Sequence, residues 1–424
     1  MNQPDSRSSE ELPRWRKLVA TAAIDAGPLR RHRDFRLLFA GRAVSFFGTM
    51  ITAVAVPYQV FRITGSSFAV GLLGLCEIVP ILGLAFVGGA LADAHDRRRM
   101  VLVTELAMSG VSAVLVFNAL LPQPQLGVLY AAAAVLAGLD ALQTPSLDAL
   151  LPRLVGRNEL TAAGALSELR TTAGMIAGPA LGGVLIASIG LPATYLVDVG
   201  TFGVGLGMLL LMRAVPPPAG AERPSVRRIL EGLRYARSRP ELLGTYLVDM
   251  NAMFFGMPNA LFPAVAARYG GAKILGLLLA APAVGSFVAV ATSGWSNHVR
   301  RHGLAVILAA GAWGVAIVGF GLSPNLPLIL LCLALAGGAD MISGIFRSVI
   351  WNQTIPDSLR GRLAGIEMIS YSSGPTLGNV EAGAVASAFS LRSSIISGGV
   401  LCVLGTAILA FTLPGFRRYD ARAG

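Results

Sequence analysis

The sequence predicts an all-α membrane protein of twelve transmembrane helices in two six-helix repeats, with both termini cytoplasmic. Three observations predict it. Of the 424 residues 54% are hydrophobic and 13% charged, with a mean hydropathy of +0.66, which is too apolar for a chain that must show water a polar exterior. The apolar residues gather in twelve runs, each near the roughly 20 residues that cross a bilayer core. Arginine alternates between the connections. Those after even-numbered runs carry Arg97 to Arg99, Arg153 with Arg157, Arg227 with Arg228, Arg300 with Arg301, and Arg360, whereas those after odd-numbered runs hold Arg62, Arg268, Lys273 and Arg392. Positive charge beside the membrane marks the cytoplasmic face, so both ends of the chain belong inside.

In chain order, residues 1–36 form a polar cytoplasmic segment with Arg30, Arg31, Arg33 and Arg36 and no central apolar stretch before a cleavage site, so no removable signal peptide is expected. The N-terminal half, 37–213, holds runs near 37–61, 68–92, 100–121, 127–150, 161–188 and 193–213. Pro122-Gln123-Pro124 breaks the chain at a short external connection, as Ser323-Pro324-Asn325 does in the second half. A cytoplasmic linker at 214–241 opens with Pro216-Pro217-Pro218. In it Val226, Ile229, Leu230 and Leu233 recur at helical spacing opposite Arg227, Arg228, Glu231 and Arg234, the pattern of an amphipathic helix lying on the membrane surface. The C-terminal half, 242–413, holds runs near 242–267, 274–295, 304–322, 326–349, 363–387 and 393–413, and 414–424 form a cytoplasmic tail.

The halves repeat each other. Leu136-Ala-Gly-Leu-Asp140 of the fourth run is echoed by Leu335-Ala-Gly-Gly-Ala-Asp340 of the tenth, and Gly178-Pro179-x-x-Gly182 of the fifth by Gly374-Pro375-x-x-Gly378 of the eleventh. The basic hairpin at Gly89 returns, without its acidic residue, at Gly294 to Arg301. Pairs about 200 residues apart in the same order are expected of parallel repeats with a site at their interface.

Several function classes are excluded. A net charge of +11 would suggest nucleic acid in a soluble domain, but here the arginines sit between apolar runs and follow from topology, so no nucleic-acid partner is implied. Cys76, Cys332 and Cys402 lie inside apolar runs and His32, His95, His298 and His302 in or beside basic loops, which builds neither a disulfide framework nor a metal site. The two lysines, Lys17 and Lys273, are not preceded by glycine, so no phosphate-cradling loop exists and ATP is not the energy source. No nucleophile and base occur together, so no enzyme and no cofactor are expected, and transport must be secondary.

Gly89-Ala-Leu-Ala-Asp-Ala-His-Asp-Arg-Arg-Arg-Met100 joins the second and third runs. Its Gly89, Leu91, Asp93, Arg97 and Arg98 resemble the loop signature of the major facilitator superfamily, with Asp96 where that family usually has glycine and Ala94 where it has a basic residue. The resemblance implies the major facilitator fold. It also implies a cytoplasmic gate in which Asp93 faces the start of the eleventh helix, whose unpaired N–H groups favour an anion, and which Asp93 and Arg97 hold closed in the outward-facing state. Gly174-x-x-x-Gly178-Pro179-x-x-Gly182-Gly183 matches the core of the superfamily's antiporter motif, where small residues and a bend would form a rocking interface.

Charge inside lipid costs about 2.5 to 3.5 kcal/mol on insertion scales, which makes each intramembrane ionisable residue a site candidate. Glu77, Asp140 and Asp340 fall nearest mid-membrane; Arg42, Glu105, Glu168, Arg170, Asp249, Arg347 and Glu367 lie toward the cytoplasm, and Asp198 and Glu381 toward the exterior. With no histidine in the membrane, a coupled proton must travel on carboxylates. Asp140 and Asp340, expected to face each other across a central cavity, are the first candidates for substrate or proton binding. The opposing reading makes them structural, paired with Arg170 or Arg347. The seventh run adds Asp249, Met250, Asn251, Met253, Phe254, Met257 and Asn259, which suit a large amphipathic ligand or ordinary helix packing.

Asn118-Ala-Leu-Leu-Pro-Gln-Pro124, Leu151-Pro-Arg-Leu-Val-Gly-Arg-Asn-Glu-Leu160, Thr292-Ser-Gly-Trp-Ser-Asn-His298 and an early Arg42 make the chain similar to the bacterial enterobactin exporters, which send catecholate siderophores across the inner membrane. The resemblance implies a multi-pass protein of the bacterial cytoplasmic membrane that expels a siderophore-like small molecule by proton antiport. A multidrug efflux pump is the alternative; a nutrient importer and a non-transporting membrane protein stand behind it.

Overall fold

The computed structural model describes residues 25–94, 96–215, 234–235, 237–356 and 360–420, and describes backbone alone at 85–94 and 360–372. The amphipathic stretch at 226–233 therefore lies outside the described residues, as do the side chains of Gly89, Asp93 and Glu367. In chain order the helices are α1 (Gly27–Arg31), α2 (Arg33–Thr64), α3 (Ser67–Ala94), α4 (Arg97–Leu120), α5 (Leu126–Leu154), α6 (Leu160–Leu210), α7 (Pro240–Phe255), α8 (Phe262–Tyr269), α9 (Ala272–Ala291), α10 (His302–Leu322), α11 (Leu326–Thr354), α12 (Arg360–Ala388), α13 (Leu391–Thr412) and α14 (Pro414–Arg417).

Among the described residues nine helices are long and apolar enough to cross a bilayer. Their polarity is inverted relative to a water-soluble bundle. Helix α4 exposes Val103, Leu106, Val114 and Phe117 while burying Thr104, Glu105, Ser112 and Asn118. Polar side chains can sit inside because neighbours satisfy them, and the apolar ones face lipid tails that match them.

Two expectations about helix ends need correction. The fifth and sixth runs were expected as separate helices with a connection of several residues; instead α6 runs through 51 residues and turns at Gly190, whose φ of +80° and ψ of 171° leave the helical region. At 1.5 Å per residue 51 residues span about 76 Å, long enough for two crossings, and its two legs are joined at one glycine of positive φ, with Pro192 near the start of the second leg. The seventh run was expected as one helix from 242 to 267; it is broken into α7 and α8 by Gly256, Met257 and Pro258 and a 3-10 turn at Asn259–Leu261. Proline cannot donate a helical hydrogen bond, and the residue before it is pushed out of the α region, which is why the chain opens there.

A broken helix inside the bilayer must find other partners for its backbone. The Trp313 indole N–H of α10 donates to the Gly256 carbonyl at 3.0 Å, and the Ala260 N–H donates to Asn379 Oδ1 of α12 at 2.9 Å. Removing the first donor should be costly: Trp313→Phe leaves a buried carbonyl unpaired, and about 1 to 3 kcal/mol of stability should be lost. A lower apparent melting temperature of the purified protein in detergent checks this; an unchanged one would show that the break does not depend on the indole.

Side chains also close the loops. Asp96, one of the two residues that depart from the family pattern, caps α4 by accepting the Arg99 N–H at 3.1 Å. Asn118 brackets the turn between α4 and α5, accepting the Gln125 N–H at 2.8 Å and donating to the Gln125 carbonyl at 3.3 Å. Asn325 caps α11 through the Leu328 N–H at 3.1 Å.

Candidate functional site

A cavity of about 440 Å³ lies between the halves. From the N-terminal half α2 contributes Thr49, Thr52 and Pro57, α3 contributes Glu77, α5 contributes Asp140, and the second leg of α6 contributes Asp198 and Phe202. The other half closes it with Asn259, Ala260 and Pro263 at the break between α7 and α8, with Leu275 and Leu279 of α9, and with Asn379 of α12. Its lining is largely apolar, and the charged side chains on its wall are the three carboxylates Glu77, Asp140 and Asp198.

The halves meet at the end opposite the arginine-rich connections. A methyl group on Gly183 of α6 would collide with the Ala272 carbonyl of α9, and one on Gly276 of α9 with the Pro179 carbonyl. On the other side, a methyl group on Gly74 of α3 would stand 2.8 Å from the Thr376 carbonyl of α12, and one on Gly383 would stand 2.7 Å from the Ser67 carbonyl. Glycine is what lets backbones approach this closely. Gly178 packs on Met50 of α2 within its own half, so the antiporter-like stretch of α6 touches both halves at once.

Three charge clusters surround the cavity. Arg42 of α2 donates to Gln143 Oε1 at 2.7 Å and to Glu105 Oε1 at 3.3 Å; Ser45 donates to the same carboxylate oxygen at 3.0 Å, and Gln143 donates to Thr104 Oγ1 at 3.0 Å. In the second half Arg347 pairs with Asp249 and approaches Asp340 at 3.6 Å, with its guanidinium 5.9 Å from the Trp351 ring centre. Asp249 and Arg347 are nearly enclosed, at 8% and 12% exposure, whereas the Asp340 side chain is 39% accessible. The third cluster is Asp198, 1% exposed, whose Oδ2 accepts the hydroxyls of Thr52 at 2.6 Å and Ser112 at 2.7 Å.

The structure thus brings Asp140 and Glu77 together on one wall and places Asp340 with Asp249 on another group, beside Arg347. Asp340 does not line the cavity with Asp140; its carboxylate lies 3.6 Å from the Arg347 guanidinium of the same helix. Asp140 has no cation within ion-pair distance among the described residues, although Arg42 lies near enough to act on it through its charge. Asn251 turns away from the cavity: its amide donates to the Cys402 carbonyl at 2.9 Å and to Thr406 Oγ1 at 3.2 Å, tying α7 to α13. Arg97 donates to the Ala149 carbonyl at 3.0 Å, and Arg98 to the Leu209 and Leu210 carbonyls at 2.7 and 2.8 Å. Both therefore staple the C-terminal ends of α5 and α6 to α4 within one half. Gly89 and Asp93 lie outside the described side chains.

The sequence marked Asp198 as one intramembrane candidate among many, and it assigned no role to Gln143 or to the hydroxyls Ser45, Thr49 and Thr52. The signal was present: Arg42, Ser45, Thr49 and Thr52 recur at intervals of three and four, one polar face on an otherwise apolar helix.

A model of the transmembrane secretion effector family, a branch of the major facilitator superfamily, matches residues 24–423. The enterobactin exporter EntS of Citrobacter koseri is 32% identical over 396 residues, covering 92% of this chain and 94% of its own, and that of Shigella boydii is 32% identical with the same coverage. Among solved structures, a bacterial homologue of the human lysosomal transporter Spinster superposes with a TM-score of 0.71 at 16% identity, covering 93% of this chain and 99% of that one. A peptide transporter of the POT family superposes with a TM-score of 0.75 at 11% identity, covering 95% and 98%.

Proposed function

Because the chain belongs to the transmembrane secretion effector family of major facilitator transporters, we propose that it exports a siderophore-like amphipathic molecule across the bacterial inner membrane in exchange for protons. The observation that carries this reading is a relationship to enterobactin exporters running over 92% of the chain, so that both halves and their interface are included. The cavity supports it: its volume of about 440 Å³ lies within the range of small-molecule sites, and its walls are apolar with few polar groups.

In this reading the chain crosses the membrane twelve times, with halves at 37–213 and 242–413 and both termini inside. The close glycine contacts are read as the external end. Asp140 and Glu77 meet the substrate or its exchanged proton, Asp340 and Asp249 work with Arg347, and Asp93 with Arg97 and Arg98 forms the cytoplasmic gate that closes in the outward-facing state. One observation favours a second reading: three carboxylates and no basic side chain line the cavity, which suits a cationic amphipathic drug.

Deleting the gene and comparing secreted metabolites by mass spectrometry under iron limitation separates them. Loss of a catecholate from the medium, with retention in the cells, is the expected result. Unchanged siderophore secretion with new sensitivity to cationic dyes would replace the first reading by the second.

A further inference from the structure

Helix α2 carries Arg42, Ser45, Thr49 and Thr52 on one face, and two buried carboxylates from α4 and α6 stand against its two ends. Glu105, whose side chain is 0% exposed, takes Arg42 at 3.3 Å and Ser45 at 3.0 Å at the cytoplasmic end. Asp198 takes Thr52 at 2.6 Å and Ser112 at 2.7 Å beside the cavity. Glu105 and Ser112 are seven residues apart on α4, as Asp198 and Gly205 are on α6, so the two levels are two helical turns, about 10 Å, apart on the same faces. The levels interlock: a side chain at Gly205 would stand 2.9 Å from Glu105 Oε2.

Neither carboxylate is accounted for by assembly alone. Glu105 Oε2 is buried with no hydrogen-bond partner. Asp198 has hydroxyls around it and no cation within ion-pair distance among the described residues. The repeat-related crossings of the second half, α10 and α13, contain no Asp or Glu at all, so the fold does not require carboxylates at these peripheral positions. A buried acid retained in one half alone, against the cost of keeping it in lipid, indicates use.

We propose that Asp198 is a proton-binding site on the cavity wall, connected to the cytoplasm through Glu105 along the hydroxyl face of α2. The proposal rests on the proton-antiport reading. The O–H bond at Asp198 breaks and one forms at Glu105, with Thr52, Thr49 and Ser45, each about one turn apart, and intervening waters relaying the proton; Glu105 then releases it inside. While Glu105 holds the proton its attraction for Arg42 is gone, and the guanidinium keeps its 2.7 Å bond to Gln143, three residues from Asp140. The proton's position is thereby felt at the cavity. Other ionisable groups face this route: Tyr195 lies one turn before Asp198 on its own helix, Glu77 of α3 and Asp140 of α5 line the same cavity as Asp198, and Arg42 faces Asp140 and Arg170 of α6. From α2 and α4, Asp198 is met by hydroxyls.

Infrared titration of the reconstituted protein tests this without a substrate. Wild type should show a protonated-carboxyl band that titrates across physiological pH, and Asp198→Asn should lack it. Ser112→Ala removes a donor that stabilises the anion, so the midpoint of that band should rise; an unmoved midpoint would show that the band does not belong to Asp198. Glu105→Gln should slow the proton release that follows a pH jump inside the vesicle by about tenfold or more. A band identical in Asp198→Asn overturns the site, and so does an unmoved midpoint in Ser112→Ala if Asp198→Asn fails to fold. A band that titrates as expected in vesicles where enterobactin efflux moves no protons would instead overturn the antiport reading and leave the site standing.

Discussion

Asp140→Asn should cut export driven by a pH gradient by about tenfold or more, a loss typical of severed coupling between two sites, while the protein still inserts and folds. The asparagine imitates the protonated acid, fixing the cavity wall in one of the two states that exchange must alternate between. Asp140 suits the test because it lines the cavity and has no ion-pair partner among the described residues, so its removal strands no cation. Asp340→Asn should also reduce coupled export, since its side chain is 39% accessible, but through Arg347 rather than through the cavity. Efflux from proteoliposomes, with expression and thermal stability measured in parallel, reads both. If both variants kept gradient-driven efflux, or both failed to fold, the pair would be discarded as coupling residues in favour of Glu77 and Asp249.

Arg347→Met should produce the largest loss of stability. It leaves Asp249, 8% exposed, as an uncompensated charge in the membrane interior, and breaking a buried pair in this way costs about 3 to 5 kcal/mol. Asp249→Asn should be milder, because Arg347 keeps Asp340 as a partner at 3.6 Å. The double variant Arg347→Met with Asp249→Asn should recover much of the loss, since the one charge then left without its partner is Asp340, whose side chain is 39% accessible. Thermal unfolding in detergent gives the order; a double variant no more stable than Arg347→Met alone would show that the cost comes from lost packing on Trp351 instead.

The membrane-crossing pattern could be read from the sequence because one property, apolar length between charged turns, determines it. Details that depend on partners could not. The turn at Gly190 needs one residue, where a connection was expected to show as a polar gap, and Pro258 breaks a run whose composition stays apolar across the break. The same holds for the site. Intramembrane charge marked Asp140, Asp340, Glu77, Asp249 and Arg42, since cost in lipid depends on the residue alone. Which carboxylate meets which guanidinium depends on helix rotation: Arg347 beside Asp340 was one of two pairings the sequence left open, whereas Asp249 on the same guanidinium, and Glu105 on Arg42, appear only in three dimensions. Asn251 shows the converse: a polar residue in a decorated helix that serves the α7–α13 contact.

The central claim is exchange of protons for an exported molecule. Its most direct test loads proteoliposomes with enterobactin and records internal pH and efflux together in the absence of any other ion gradient. Outward movement of the siderophore should be accompanied by entry of protons, and an imposed inward proton gradient should accelerate it. Efflux that proceeds at the same rate with and without the gradient, and with no change of internal pH, would contradict the account.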